Sequence, residues 1–431
     1  MRVLFSAVPA YGHILPLAHL MEAALADGHV VGLLTSESVR PVVEQELPPG
    51  VDLLAAGTAP EVFIVEAAKR GGGDPYHPTP EMIAETFGGT RLDLDKEQAL
   101  AAARRWDPDF VVAEAFDTVG PFAAAHLNVP WHQAGLGPGI AAETRRLFDQ
   151  SVAPHYQRAG VEPEPPSHYV DPCPPTFQTP GWVSPAPIVN IRPRAHRRIT
   201  SADLEPYRFS DKSKPTVLLT LGTIFSDGST LAELAQAVAT ADVNVVATLG
   251  PGEQQPPETP GTGEVRWVSF VPLDQLLDDV DLVVAAGGSG TVLGAMSRGI
   301  PMVLCPQGAD QPINAVRAEA AGVAVVVGDP AEVTGAITQA LNDADLRTRA
   351  AEFAKEIAGL PSAVQVFAVL AEHARCVSRG AAPAATALAG NFPQAFSHIG
   401  YRSVETANTY LNERAVGQAI ATAARRARTS T

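Results

Sequence analysis

The chain has 431 residues, enough for two domains that each bury a core of their own. Its hydrophobic fraction of 46% and charged fraction of 18% are ordinary for a globular enzyme. The formal net charge of −16 argues against nucleic acid as a partner, because phosphate backbones attract patches of Lys and Arg.

The three cysteines, Cys173, Cys305 and Cys376, have no CxxC spacing, so neither a disulfide framework nor a metal site is indicated. The sequence opens directly on an apolar strand pattern and shows no signal-peptide pattern. No apolar run reaches the ~18 residues that a membrane span requires. We therefore expect a cytoplasmic protein with no membrane partner.

Strand and helix patterns alternate along the first third of the chain. Residues 3–8 and 30–35 are apolar runs typical of buried strands, and the segment between them has one apolar helical face that ends near Gly28. This order predicts a βαβ unit of a parallel sheet. Residues 110–113 and 129–131 are predicted to be later strands of the same sheet.

Two segments of this half are rich in glycine and proline. We predict that residues 57–94 form a long irregular loop, and that residues 160–187 form irregular chain at the surface. Residues 192–198 (RPRAHRR) form a compact basic cluster, which we interpret as the solvated face of a linker.

A second series of strand patterns, with helical patterns between them, follows the linker. The predicted strands are residues 216–221, 243–248, 265–270, 282–285, 302–305 and 323–327. Helical patterns fill residues 331–374, and residues 377–431 are predicted to be a helical or partly disordered tail. Two such series predict an α/β protein with two Rossmann-like domains.

A glycine-rich turn connects the strand at residues 282–285 to a helical pattern. In Gly287-Gly288-Ser289-Gly290-Thr291, glycines allow a ligand to approach the backbone, and the free amides of a helix start attract phosphate. Ser289 and Thr291 could cap the helix and donate to phosphate oxygens. A tight turn without a ligand is the alternative. The pattern matches neither GxGxxG nor the P-loop.

Two further loops follow predicted strands of the second series. Asp310 and Gln311 combine an acid and an amide that could bond the neighbouring hydroxyls of a sugar, although Asp310 could instead cap the next helix. Thr223 ends a Thr-Leu-Gly-Thr turn, at the strand end where α/β sheets bind ligands. An ordinary strand-to-helix turn is the alternative there.

His13 follows the first strand, and Glu114 follows the strand at residues 110–113. A histidine at a strand end can act as a general base near neutral pH, and a carboxylate beside it can hold the imidazole in the right tautomer. Asp117 is the second candidate for the carboxylate. Structural roles for the histidine and for either acid remain the alternatives.

Taken together, these motifs resemble the GT-B glycosyltransferases, and within them the bacterial natural-product branch of the UDP-glycosyltransferase family. The motifs are Gly-His-x-x-Pro after the first strand, Thr-Leu-Gly-Thr, Gly-Gly-x-Gly-Thr and Ala-Asp-Gln-x-x-Asn. The resemblance implies two Rossmann-like domains that face each other across a cleft. Residues 1–205 would bind the acceptor, with a linker at about 192–214, and residues 215–376 would bind a nucleotide sugar.

The resemblance also implies roles for individual residues. His13 matches the catalytic base and Glu114 the acid that orients it. The positions that match the donor site are Thr223, Phe270, Val271, Gly288, Ser289, Gly290, Thr291, Asp310 and Gln311. It implies no metal and no cofactor beyond the donor itself, and a homodimer is compatible with the sequence.

The implied reaction is an inverting transfer of a sugar from a dTDP- or UDP-sugar to a hydroxyl of an apolar secondary-metabolite aglycone. Aromatic residues that could line the acceptor pocket are Phe63, Tyr76, Phe87, Trp131, His132, Phe148, Tyr156 and Tyr169, although they could equally be core. Ala286 departs from the family, which usually has histidine before Gly-Gly. A donor-impaired binding protein, or a sugar-nucleotide epimerase or hydrolase, is therefore the alternative.

Overall fold

The computed structural model describes residues 1–71, 79–198, 209–222, 228–249, 264–269 and 271–378. All of these belong to one compact unit, Met1–Pro383. The predicted tail lies outside the described residues, apart from its first two.

The first half of the chain forms a seven-stranded parallel sheet in the order β3-β2-β1-β4-β5-β6-β7. Its strands are β1 Arg2–Ser6, β2 Val30–Thr35, β3 Val51–Ala55, β4 Phe110–Glu114, β5 Trp131–Ala134, β6 Tyr169–Asp171 and β7 Ile188–Asn190. Helices cover both faces: α1 Tyr11–Ile14, α2 Ala18–Ala26, α3 Arg40–Glu46, α4 Pro60–Gly71, α5 Pro80–Ala84, α6 Arg91–Trp106, α7 Val119–Leu127 and α8 Ala142–Ala159.

The second half repeats this architecture with a six-stranded parallel sheet in the order β10-β9-β8-β11-β12-β13. Its strands are β8 Thr216–Thr220, β9 Asn244–Thr248, β10 Glu264–Val268, β11 Leu282–Ala285, β12 Met302–Leu304 and β13 Ala324–Val326. Its helices are α9 Gly228–Ala239, α10 Leu273–Leu276, α11 Ser289–Arg298, α12 Gln311–Ala320, α13 Val333–Asn342, α14 Ala344–Ala358 and α15 Ala363–Ser378. Two doubly wound sheets of Rossmann type confirm the predicted α/β class.

Each sheet is buried on both faces, which explains why its strands appear in the sequence as continuous apolar runs. In the first sheet, Phe5 packs into the core on one face and Leu4 into the core on the other. In the second sheet, Leu218 and Leu219 alternate in the same way. The two buried sheets therefore hold the strand ends, and the loops that follow them, in place.

The interpretation of residues 57–94 as an irregular loop is wrong for the described residues, 57–71 and 79–94. This segment contains α4, α5 and the start of α6, and a π-helical turn, Glu85–Thr90, joins α5 to α6. Its prolines gave the misleading signal, because Pro60 and Pro80 are the first residues of their helices, where the missing N–H costs nothing. Residues 160–187 are mostly irregular, as predicted, but they include β6.

The basic linker is docked rather than solvated. Arg194 makes a bidentate ion pair with Glu22 of α2, at 2.8 and 2.9 Å, and Arg198 makes one with the buried Glu46 of α3. His196 Nε2 also contacts Glu46, at 2.9 Å. Arg192 donates to the carbonyl oxygens of residues 358 and 360, which closes the C-terminal end of α14. The interpretation as a solvated face is therefore wrong.

The last described helix, α15, returns to the first sheet. Its residues Val366, Phe367 and Leu370 are buried in the core formed with β1, β2 and α2. The predicted second domain, residues 215–376, thus includes a helix whose buried face belongs to the core of the first sheet. The domain boundaries themselves remain predictions.

Among the described residues, no single helix is long and apolar enough to span a membrane. The helices α14 (Ala344–Ala358) and α15 (Ala363–Ser378) are together long and apolar enough for a span, by length and composition only, with a bend of 41° between them.

Candidate active site

The site in the first half lies where the sheet changes winding direction. β1 and β4 are neighbours there, and Ser6 pairs with Ala113. Ligands of open α/β sheets bind at the carboxyl ends of such strands. His13 lies in α1, a few residues after β1, and Glu114 is the last residue of β4.

His13 and Glu114 form a hydrogen-bonded pair, with His13 Nδ1 lying 3.0 Å from Glu114 Oε1. Glu114 is fully buried, and its carboxylate also accepts from the backbone amides of Val8 (3.2 Å) and Phe116 (2.8 Å). A carboxylate accepts only, so Nδ1 carries the proton and Nε2 carries the lone pair. His13 is 16% exposed, which leaves the ring accessible to a ligand.

Aromatic rings surround the imidazole of His13. The Phe87 ring centroid lies 5.9 Å from it, and Phe116 meets it edge-on at 5.7 Å. Phe148 extends this group, 5.9 Å from Phe116, and the buried Phe63 packs behind Phe87 at 6.0 Å. His13 therefore lies beside a group of apolar aromatic rings.

The other aromatic residues proposed for the acceptor pocket are core residues. Trp131, His132, Tyr156 and Tyr169 are each at most 8% exposed. The Trp131 indole N–H donates to the backbone oxygen of Glu164 at 2.8 Å. Tyr76 lies outside the described residues.

Asp117, the second candidate for the carboxylate, belongs to a different buried network. It accepts from Ser6 Oγ at 2.6 Å and from the Gly120 amide at 2.9 Å, and it pairs with Arg91 Nη2 at 2.8 Å. Burial raises the pKa of Asp117, although the Arg91 charge opposes this. Because Arg91 also donates to the Ala7 carbonyl at 3.1 Å, the pair holds the π-helical turn against the loop that follows β1.

The glycine-rich turn lies at the equivalent position of the second sheet, after β11. Gly287 has φ +96°, a conformation that favours glycine. Gly288, which has no side chain, is the N-cap residue of α11, so the expected capping by Ser289 or Thr291 is wrong. Gly288 and Thr291 are half-buried and Gly290 is exposed. The amides of this ten-residue helix point into the loop region.

Asp310 reaches across to the start of α11. Its Oδ2 accepts from Ser289 Oγ at 2.8 Å and lies 3.3 Å from the Ser289 amide. Asn314 Nδ2 donates to the same oxygen at 2.8 Å and lies 2.9 Å from the Gly287 carbonyl. The alternative role of Asp310, capping its own helix through the side chain, is not observed.

Gln311 is buried, whereas Asp310 is exposed. The Gln311 Oε1 accepts from the amides of Gln307 (2.8 Å) and Gly308 (3.1 Å), so it stabilises the loop in front of its own helix. Of these two residues, therefore, only Asp310 has its polar group at the surface. Ala309, which has φ +53°, turns the chain between them and Gly308.

A loop of the first half touches the glycine-rich turn. A Cβ atom added to Gly137, which follows β5, would lie 2.3 Å from Ser289 Oγ. Only a glycine allows this approach, because a side chain would collide with Ser289. The contact brings the loops at the strand ends of the two sheets together.

The remaining predicted donor residues are only partly visible. Thr223 and Phe270 lie outside the described residues, and Val271 is half-buried against the core of the second sheet. Ala286 is 1% exposed. In the part of the chain that the structure describes, no group of three or more His, Cys, Asp or Glu side chains could hold a metal ion.

Family models match both halves of the chain. The model described as erythromycin biosynthesis protein CIII-like, N-terminal domain, matches residues 91–184, and its C-terminal counterpart matches residues 232–373. Together the matches cover more than half of the sequence. The chain belongs to the EryCIII-like glycosyltransferases.

Individual members of the family agree with this. The elloramycin glycosyltransferase ElmGT of Streptomyces olivaceus is 28% identical over 393 residues, which is 86% of this chain and 97% of that protein. The crystal structure of the glycosyltransferase SnogD from Streptomyces nogalater is 28% identical, with a TM-score of 0.70 over 87% of this chain and 99% of that one.

The Streptomyces sp. SF2575 glycosyltransferase SsfS6, solved with thymidine diphosphate, is 26% identical. Its TM-score is 0.71 over 86% of this chain and 99% of that one. The predicted GT-B fold and the membership in the antibiotic branch are thereby confirmed. The protein is an enzyme that transfers sugar.

The sequence analysis assigned no role to three residues of this site, although one of them, Asn314, ends the Ala-Asp-Gln-x-x-Asn motif. Phe116 lies two positions after Glu114, and its strand-end position was the available signal. Asn314 stands four residues after Asp310, and one helical turn of spacing indicates that the two side chains can meet. Gly137 gave no signal, because only the folded chain brings it to Ser289.

Proposed function

We propose that the enzyme transfers a sugar from a thymidine or uridine diphosphate sugar to a hydroxyl of an apolar aglycone, with inversion at the anomeric carbon. The main support for this proposal is the His13–Glu114 hydrogen bond, which lies beside the aromatic rings of Phe87 and Phe116. The names of related enzymes support the substrate class, since they include an elloramycin glycosyltransferase and an aclacinomycin-T 2-deoxy-L-fucose transferase.

On the acceptor side, these aromatic rings would hold a flat apolar ring system with one hydroxyl near His13 Nε2. His13 takes the hydroxyl proton while the oxygen attacks the anomeric carbon. Glu114 stabilises the resulting imidazolium, because its buried carboxylate already accepts from Nδ1. One displacement inverts the anomeric centre.

On the donor side, the bond between the anomeric carbon and the diphosphate oxygen breaks, and the nucleoside diphosphate leaves with the electron pair. The start of α11 can stabilise that charge, because the helix dipole places partial positive charge at this end. The thymidine diphosphate bound to SsfS6 supports a nucleotide sugar as the donor. A metal-free reaction is part of the proposal.

The donor half is tested by thermal shift with thymidine, uridine, guanosine and adenosine diphosphates. We expect thymidine or uridine diphosphate to raise the melting temperature, because a ligand of the native state stabilises it. If none of the four shifts the melting temperature, the donor proposal is wrong, and the alternative of a donor-impaired protein gains support.

The catalytic pair is tested with His13→Ala, using TDP-glucose as donor and alizarin, a flat phenol, as acceptor. We expect kcat/KM to fall by about 100- to 10,000-fold, the usual contribution of a general base. Affinity for thymidine diphosphate should stay unchanged, because His13 lies in the acceptor half. His126→Ala is the matched control, since His126 contacts the Phe122 carbonyl of its own helix.

Undiminished turnover by the His13→Ala variant would remove His13 from the role of base. Consumption of TDP-glucose at equal rates with and without acceptor would instead indicate a hydrolase or an epimerase. The two results are distinguishable because the second is measured on the unmodified enzyme.

A further inference from the structure

The start of α11 already carries an anion from the chain itself. The Asp310 carboxylate accepts from the hydroxyl of Ser289, from Asn314, and, at a longer 3.3 Å, from the Ser289 amide. In the described part of the chain, no ion pair joins Asp310 to a basic side chain. Its negative charge is therefore balanced by neutral donors and by the positive end of the helix dipole.

A diphosphate bound at this helix start would need the same donors. Ser289 supplies one amide and one hydroxyl, and each is at present directed at Asp310. A carboxylate and a diphosphate side by side would also repel each other, and this repulsion is large where solvent is partly excluded. The two anions thus compete for one position.

Asp310 can leave this position at little structural cost. It is exposed, it follows a residue in the left-handed conformation, and its side chain does not cap its own helix. Sugar hydroxyls are hydrogen-bond donors that a carboxylate can accept from instead of Ser289. A free nucleoside diphosphate lacks the transferred sugar and therefore the hydroxyls that this sugar would place next to the diphosphate.

We propose that the Asp310 carboxylate occupies the diphosphate position at the start of α11 when no sugar is present. The site therefore binds the nucleotide sugar in preference to the nucleoside diphosphate product. The inference rests on the proposed function. With donor bound, the sugar hydroxyls hold Asp310 and Ser289 is released to the diphosphate. After transfer, Asp310 returns to Ser289 and promotes release of the product.

The test compares the affinities of thymidine diphosphate and TDP-glucose by calorimetry in the full chain and in its Asp310→Asn variant. We expect the variant to bind thymidine diphosphate about tenfold more tightly, equivalent to about 1.4 kcal/mol. It should bind TDP-glucose no better than the unmodified enzyme, so the preference for the nucleotide sugar falls. The gain should shrink between 20 and 500 mM salt, because salt screens the repulsion.

Asp345→Asn is the matched control, because it removes one exposed acid from the first turn of another helix, α14. Asp310→Ser is a second variant that also removes the charge. Unchanged or weaker binding of thymidine diphosphate by both folded Asp310 variants would overturn the inference while leaving the transferase proposal intact. If the unmodified enzyme binds neither nucleotide, the proposed function fails and the inference fails with it.

Discussion

Ala286 stands immediately before Gly287, where the resemblance leads one to expect histidine. The methyl group is almost fully buried in the apolar cluster on one face of the second sheet, with Val284, Val303 and Cys305. A histidine here would have to fit into this buried cluster. The departure therefore concerns packing as well as the phosphate contact that the resemblance implies for a histidine.

We expect Ala286→His to have two separable effects. It should destabilise the free protein by about 1–3 kcal/mol, because extra atoms overpack a buried site. It should also tighten binding of thymidine diphosphate, because one hydrogen bond to a charged group contributes about 1.5–3 kcal/mol. Thermal denaturation measures the first effect and calorimetry the second.

Ala286→Leu is the control, since leucine is bulky but cannot donate to phosphate. It should lower stability without improving affinity. An unchanged melting temperature for both variants would contradict the tight packing around residue 286. Weaker nucleotide binding by Ala286→His alone would show that the diphosphate is held differently here than in related enzymes.

At the residue scale, the sequence allowed a contact to be predicted where both side chains lie close to the ends of strands. Glu114 ends β4 and His13 lies in the short helix after β1, so their meeting could be expected from these positions. The contact between Asp310 and Ser289 could not, because it depends on the exact course of two loops 21 positions apart. The burial of Gln311 was equally hidden, since it depends on the loop that folds back over it.

At the scale of the secondary-structure elements, the linker between the two sheets is fixed to the first half of the chain. Glu46 is buried and receives contacts from Arg198 and His196. Burial alone would raise the pKa of Glu46, but the hydrogen bonds from His196 and Arg198 outweigh it, and the pKa is lowered. The carboxylate is therefore charged and anchors the linker to α3.

Glu46→Ala should destabilise the protein by about 1.5–3 kcal/mol, because hydrogen bonds between charged groups are lost and Arg198 keeps no carboxylate there. The midpoint of urea unfolding measures this. Glu44→Ala on the same helix is the control: Glu44 is exposed, its pair with Arg40 spans 3.6 Å, and surface pairs contribute about 0–1 kcal/mol. Equal effects of the two substitutions would contradict an anchoring role for Glu46.

The success of the fold prediction differed between elements for a physical reason. Apolar strands such as β2 and β11 were recognised at their observed limits, because both of their faces are buried. The strands β3, β6 and β7 were missed, since they carry polar or partly exposed residues. The helices α4 and α5 were missed because their first prolines were interpreted as loop signals.

For the molecule as a whole, three histidines join α15 to the first sheet. His168 Nδ1 lies 3.3 Å from His132 Nδ1, and the His373 ring of α15 lies 5.6 Å from His132 and 5.0 Å from His168. Burial lowers the pKa of all three, and the neighbouring imidazoles lower the pKa of His132 and His168 further. The cluster is packed in its neutral form.

The stability of the protein should therefore decrease as the pH falls below about 6.5, the pKa of histidine in an unfolded chain. The folded cluster binds fewer protons than the unfolded chain, so its contribution is complete above this pH and is lost below it. Asp171 acts in the opposite direction, because burial raises its pKa to about 6. Melting temperatures between pH 5 and 7.5 measure the sum.

His373→Gln isolates the contribution of the cluster, since one imidazole is removed while Asp171 is kept. The decrease in melting temperature from pH 7 to pH 5 should become smaller than in the unmodified protein. His126→Gln, on α7, should leave the pH profile as it was. A profile that His373→Gln does not change would exclude the cluster as the source of acid sensitivity.

The return of α15 to the first sheet affects how such an enzyme can be recombined. Exchanging the first-sheet and second-sheet halves of two relatives at one junction, near residue 209, would transplant α15 together with the second-sheet half. Phe367 and Leu370 of that foreign helix would then have to fit the core around β1 and α2. A chimera can have a second crossover in the short connection between α14 and α15, at residues 359–362. All residues of the cores on the two faces of the first sheet then come from the same parent enzyme. The half that contains the first sheet is thus built from two separate stretches of chain.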